Sequence, residues 1–204
     1  MHPTLLRLGS FRLATYGVLV ASGYLLAIWW LSRRRERLGL SEDDFWNLIY
    51  VIFGGAILGG KLLYLGVSWR DIAAGTLHPL RDFRYGFVFY GGVLGSMLAG
   101  GAWCRHKGWS FARLSDTFAV ALPVGQAVGR WGCLMAGCCY GRPTTMPWGI
   151  TFTSPECLVS PELLGRPLHP TQLYESAADL LVAWLCWKAL ARVERKEWRA
   201  GAAF

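Results

Sequence analysis

The chain has 204 residues, 53% hydrophobic and only 17% charged, with 11 Trp, 10 Phe and 25 Gly. It is too apolar for an ordinary soluble domain, and the same arithmetic excludes disorder, coiled coil, collagen and a small secreted disulfide scaffold. The net charge of +8 raises nucleic acid as a partner, but the basic residues cluster at the ends of apolar runs, beside anionic lipid headgroups, so membrane lipid and no nucleic acid is expected.

The predicted fold is an all-α integral membrane protein. It is a single membrane domain over residues 1–204, a polytopic helical bundle of about five transmembrane helices with a re-entrant or broken Gly-rich segment. Leu13 to Leu31 runs without a charge for about 28 Å of helix and stops at Arg33, Arg34, Arg35 and Arg37. It is too long for the apolar part of a cleaved signal peptide. Phe45 to Leu65 is interrupted only by Lys61, and Gly86 to Cys104 is again free of charge. Residues 117–130 form a shorter span, 131–170 an outer loop, and 171–190 a last span carrying Glu175 and Asp179 in its first half. The basic residues of the first loop, the third loop and the C-terminal tail outweigh those elsewhere. This places the N-terminus outside and residue 204 inside.

Gly55 and Gly59, Gly91 and Gly95, and Gly125 and Gly129 are each four apart, a spacing that lets helix backbones approach. At the middle pair, Tyr90 precedes Gly91 and Gly92, so exposed backbone there offers a second use, close approach of a ligand. Lys61 is read either as an interfacial cation that snorkels or as a phosphate contact.

The stretch from Gly129 to Thr144 opens with Arg130 at the end of an apolar helix, where a guanidinium needs an anion or a water cavity. Glycines at 129, 132, 137 and 141 argue against a regular helix and for free backbone N–H groups lining a cavity. An arginine fork beside such a loop suits a phosphate. The alternative is that Arg130 snorkels to the headgroups. His169-Pro170-Thr171-Gln172-Leu173-Tyr174-Glu175 opens the last helix, with Thr171 as a chemically suitable N-cap. Glu175 is expected to pair with Arg130 or Arg142, or else to favour the positive end of its own helix. Cys133, Cys138 and Cys139, with Cys157 farther on, are open to three readings: a disulfide or packed thiols, a reactive thiol, or a metal site. Cys104 and Cys186 read as apolar filler.

With those residues in view, the chain resembles the prolipoprotein diacylglyceryl transferases of bacteria along nearly its whole length. Tyr16-Gly17 is similar to the family's Tyr-Gly, and Gly59-Gly60-Lys61 to its Gly-Gly-Arg. Phe89-Tyr90-Gly91-Gly92-Val93-Leu94-Gly95 is similar to Phe-His-Gly-Gly-Leu-x-Gly. Gly129-Arg130-Trp131-Gly132 with Gly137, Gly141 and Arg142 resembles Gly-Arg-x-Gly-Asn-Phe-x-Asn-Gly-Glu-x-x-Gly-Arg, and His169 to Glu175 resembles His-Pro-Ser-Gln-Leu-Tyr-Glu. The departures are Tyr90 for histidine, Cys133 and Ala136 for asparagines, and Cys138 for glutamate. Gly201-Ala202-Ala203-Phe204 also stands about where family members begin another helix bearing an arginine and a glutamate.

The resemblance implies an inner-membrane enzyme that moves a diacylglyceryl group from phosphatidylglycerol to the lipobox cysteine of a secreted precursor protein, releasing glycerol 1-phosphate without cofactor or metal. Arg130 would stabilise the departing phosphate, and Tyr90, His169 or Glu175 would take the thiol proton. Tyr16, Lys61, Gly91, Gly92, Gly132, Gly137, Gly141, Arg142 and Tyr174 complete the expected substrate-binding set. Two other readings are a relative that binds anionic phospholipid or modifies another acceptor, and a membrane thiol-redox protein using Cys133, Cys138 and Cys139.

Overall fold

A computed structural model describes residues 2–9, 11–76 and 86–199; the C-terminal residues 200–204, Gly201 to Phe204 among them, lie outside the described residues. Five long helices stand where the five spans were expected: α1 (Thr15–Ser32), α2 (Glu42–Val67), α4 (Phe89–Lys107), α5 (Phe111–Ala136) and α6 (Thr171–Arg199). A short α3 (Trp69–Ala73) follows α2. By length and composition α1 and α2 are apolar enough to cross a membrane. Only 22% of the apolar window of each is buried, the reverse of a helix in a soluble core. Leu25, Leu58, Leu62 and Leu98 are each about two-thirds exposed or more, as lipid-facing side chains are.

The structure is mostly helical, as expected, with two small antiparallel sheets added to the helices. Strands β1 (Thr4–Leu8) and β2 (Phe11–Ala14) form an N-terminal hairpin turned at Gly9, whose φ is 59°. Leu13 therefore belongs to a strand, and the helix starts only at Thr15, where the backbone N–H bonds the Pro3 carbonyl at 2.9 Å and the hydroxyl bonds the His2 carbonyl at 2.6 Å. The second sheet pairs β3 (Ile150–Thr151) with β4 (Pro167–Leu168) inside the expected outer loop. That loop is a packed structure: Leu134, Phe152, Cys157, Val159 and Leu168 form a buried cluster, with Met135, Tyr140 and Leu173 packed against it.

The chain divides into two compact units, residues 35–114 and residues 1–34 with 115–204. In the first, Ser41 caps α2 by accepting from the Asp44 N–H at 3.1 Å. Glu42, Asp43 and Asp44 occupy the positive end of the helix dipole. α2 and α4 then pack through glycines. A Cβ at Gly59 would stand 2.2 Å from the Gly91 carbonyl oxygen, and one at Gly95 would stand 2.2 Å from that of Gly55. Gly91 is thus a helix-packing residue, buried against Gly59 and Leu63, and Gly92 faces the Ala56 carbonyl. The ligand-approach reading of Gly91 and Gly92 gives way to packing, because the partner backbone already fills the space their missing side chains leave.

In the second unit the same device joins α1 to α5. A Cβ at Gly23 would meet the Gly125 carbonyl oxygen at 2.4 Å, and one at Gly132 would meet the Tyr16 carbonyl at 3.2 Å. The expected break in the Gly-rich segment is therefore corrected up to residue 136. Gly129 and Gly132 are helical, and α5 runs on through Pro123 to Ala136. What glycine costs a helix in propensity is offset here by the close approach of α1.

The α2–α4 contact is checked by Gly95→Ala. Thermal unfolding in detergent should show a loss of about 1–3 kcal/mol. Gly66→Ala, where a Cβ meets nothing within 4 Å, should show no loss. Equal behaviour of the two variants would refute the contact.

Candidate functional site

The site is built where α5 crosses α6. Ala127 and Ser176 are almost wholly buried, and the Ser176 hydroxyl donates to the Ala127 carbonyl at 3.1 Å, pinning the two helices together. One turn further along α5, Arg130 forms an ion pair with Glu175 at 2.5 Å. Of the two partners expected for Glu175, the structure selects Arg130; Arg142 is exposed on the loop beyond. The Arg130 side chain is 26% exposed and that of Glu175 46%. The guanidinium is thus held by a carboxylate while part of its five-donor fork remains open to another anion.

The sequence reading did not count two neighbours as site residues. Asp179, one turn after Glu175, lies near Gln126 and in the electrostatic field of Arg130 and Glu175; its Oδ2 is buried without a hydrogen-bond partner. The available signal was spacing, since Gln126 is four residues before Arg130 and Asp179 four after Glu175, which places each pair on one helix face.

The C-terminus of α5 is closed by a Schellman turn. The Gly137 N–H bonds the Leu134 carbonyl at 3.3 Å and the Cys138 N–H bonds the Cys133 carbonyl at 3.1 Å, with Gly137 at φ 74°. The last helical carbonyl, that of Ala136, accepts from the Leu158 N–H at 2.8 Å. This corrects the expectation of free N–H groups along the glycine segment. Gly132 sits inside the helical ladder, Gly137 closes the turn, and Gly141 donates its N–H to the His169 carbonyl at 2.9 Å. A Cβ at Gly141 would stand 2.8 Å from the His169 Cβ, so this glycine seats the histidine.

From α6, the Thr171 hydroxyl donates to the Cys139 carbonyl at 2.5 Å and Gln172 Nε2 to the Cys138 carbonyl at 2.6 Å. Thr171 is the first helical residue rather than the N-cap, and its hydroxyl serves the neighbouring turn instead of its own helix. His169 Nδ1 lies 3.1 Å from the Tyr174 hydroxyl, which accepts from Trp148 Nε1 at 2.7 Å. Indole nitrogen only donates, so the phenol is left with its own proton to direct at the imidazole. Trp148 is a further residue that the sequence reading did not single out.

The remaining expected residues fall as follows. Tyr16 is 44% exposed and lies against Gly132. Tyr90 is 73% exposed in the first turn of α4. Lys61 is only 6% exposed, with its ammonium 5.2 Å from the Tyr64 ring and 5.3 Å from the Phe87 ring, which corrects the snorkelling interpretation. Cys133, Cys138 and Cys139 are free thiols whose sulfurs all lie within 4.8 Å of one another. Burial and the neighbouring Cys133 and Cys139 push the Cys138 thiol up to about 12. It is then protonated at neutral pH and a poor nucleophile.

Comparison with known proteins adds the following. The sequence model of the family described as prolipoprotein diacylglyceryl transferase matches residues 3–204. A phosphatidylglycerol–prolipoprotein diacylglyceryl transferase of Clostridium tetani is 37% identical over 188 residues, 92% of this chain and 74% of that protein. One of Geobacter sulfurreducens is 37% identical over 200 residues, 96% of this chain and 73% of that protein. A Clostridium perfringens protein named phosphatidylglycerol–prolipoprotein diacylglyceryl transferase 2 is 36% identical over 180 residues, covering 87% and 68%.

The α6 contacts with the turn are tested by Gln172→Leu, which strands the Cys138 carbonyl in a site where residue 172 is 1% exposed. A loss of about 1–3 kcal/mol in detergent unfolding is expected, and an unchanged midpoint would exclude the bond.

Proposed function

Because this chain belongs to the prolipoprotein diacylglyceryl transferase family, we propose that it transfers a diacylglyceryl group from phosphatidylglycerol to the lipobox cysteine of a secreted prolipoprotein, releasing glycerol 1-phosphate. It does so as a multi-pass enzyme of the bacterial inner membrane, with α1, α2, α4, α5 and α6 as spans, the N-terminus outside and residue 204 inside. The observation that carries the site assignment is the Arg130–Glu175 ion pair at the α5–α6 crossing.

The acceptor sulfur, as thiolate, attacks the glyceryl carbon that bears the phosphate ester. The carbon–sulfur bond forms as the carbon–oxygen bond breaks, and the electron pair leaves on the phosphate of glycerol 1-phosphate. Charge therefore grows on phosphate oxygen in the transition state, and a preorganised guanidinium is most effective against that charge. Glu175 holds Arg130 in place, so no reorganisation is needed as the charge develops.

His169 is the candidate for the thiol proton. Imidazole exchanges protons near neutral pH, and Tyr174 and Gly141 fix its ring and its backbone. Glu175 is better cast as the orienting carboxylate, since it is already engaged with the Arg130 guanidinium. Tyr16, which lies against Gly132 beside α5, is assigned a hydrogen bond to phosphate or ester oxygens in this reading. The donor lipid's two acyl chains stay in hydrocarbon throughout, so the lipid enters sideways between helices.

The test is mass spectrometry of a lipobox peptide incubated with purified protein and phosphatidylglycerol vesicles. A gain of one diacylglyceryl group is expected. Arg130→Ala should lower kcat/KM by about 10²–10³-fold, and Glu175→Gln by a smaller factor. Replacing Cys133, Cys138 and Cys139 with Ser should leave transfer in place. Lipid binding without transfer would instead support a relative that has lost catalysis, and loss of function in the Ser variant would support a thiol enzyme.

A further inference from the structure

No step of the proposed reaction uses the three thiols at the end of α5. Cys133 and Cys138 occupy the two positions that a Schellman turn itself brings into contact, the third residue from the helix end and the second residue beyond it. Cys139 follows at φ 57°, the single non-glycine residue with positive φ among the described residues. That left-handed step turns a third sulfur back toward the other two, and all three Sγ atoms lie within 4.8 Å of one another.

From this geometry we infer that Cys133, Cys138 and Cys139 form a binding site for a single soft, thiophilic cation, copper(I) in trigonal three-sulfur coordination. Metal–thiolate bonds of about 2.3 Å, the zinc value, put the sulfurs of a trigonal plane about 4.0 Å apart. The sulfurs thus need to close by less than about 1 Å. The donor set is all thiolate, which excludes magnesium and calcium. It also has three members: zinc needs a fourth ligand from protein or water, whereas three thiolates alone complete the coordination of copper(I), which is among the ions that thiolates select.

Access is graded along the set: Cys133 is buried, Cys138 half-buried and Cys139 exposed. An ion therefore enters past Cys139 and is gripped from below by Cys133, releasing the thiol protons as it binds. The outer contacts are in place as well. Thr171 and Gln172 hold the carbonyls of Cys139 and Cys138 from α6, fixing the backbone that carries two of the three ligands. Simple packing of three apolar thiols accounts for Cys133, but not for an exposed cysteine held in a left-handed conformation beside it.

The inference does not depend on the transferase assignment and is tested without it. The full chain, purified in detergent and reduced under anaerobic conditions, is titrated with copper(I) against a competing chelator. One copper per chain is expected, with three sulfur neighbours in X-ray absorption of the wild-type protein. Cys133→Ser, Cys138→Ser and Cys139→Ser should each weaken binding at least about tenfold, while Cys157→Ser and Cys186→Ser leave it unchanged. The wild-type absorption measurement stands even where a Ser variant misfolds. The site is overturned if the reduced protein retains no copper, if copper follows Cys157 or Cys186, if fewer than three sulfurs surround it, or if two of the three cysteines remain joined as a disulfide under reduction.

Discussion

A guanidinium on an apolar helix has to meet an anion, and Glu175 answers that demand for Arg130. The pair forms only because α5 and α6 cross closely at Ala127 and Ser176, both nearly free of solvent. Asp179 and Gln126 extend the same contact by one turn. The cation is thus already oriented by the helix crossing, which suits the proposed task of stabilising a departing phosphate.

The end of α5 has a second organising role. Its Schellman turn reverses the chain at Gly137, and the reversal delivers Cys138 and Cys139 to the first residues of α6. From there the chain folds its own small core around Phe152 and Leu168, returning through β4 to place His169 against Gly141. Arg130, His169 and the three thiols are therefore not independent features. They hang from one helix end and one helix start, and Gln172 ties the two through the Cys138 carbonyl.

Glycines divide into two physical jobs in this chain. At Gly23, Gly55, Gly59, Gly91, Gly95 and Gly132 the missing Cβ is occupied by a neighbouring helix, so their value lies in packing. At Gly137 the positive φ is what counts, since it ends a helix that the preceding glycines do not end. Membrane helices have no hydrophobic force pushing them together, and this close backbone approach supplies the dispersion contact that replaces it.

Much of the fold and part of the site were legible in the sequence. Apolar runs of membrane length, basic residues at their ends and the Arg130 and His169 motifs are one-dimensional patterns, and the five long helices stand where those patterns lie. Helix ends were less legible: Leu13 lies in a strand because the hairpin pairs it with Leu6, a partner that apolarity alone does not reveal. Nor did composition show α5 continuing through Gly129 and Gly132, because weak helix propensity there is outweighed by contact with α1. The sequence by itself determined that this chain is built of long apolar helices and that Arg130 needs an anionic partner. Only the tertiary structure decided that Glu175 is that partner, that Gly91 packs instead of exposing backbone, and that three cysteines share one point in space, because each of those outcomes rests on distances between segments that sequence spacing does not contain.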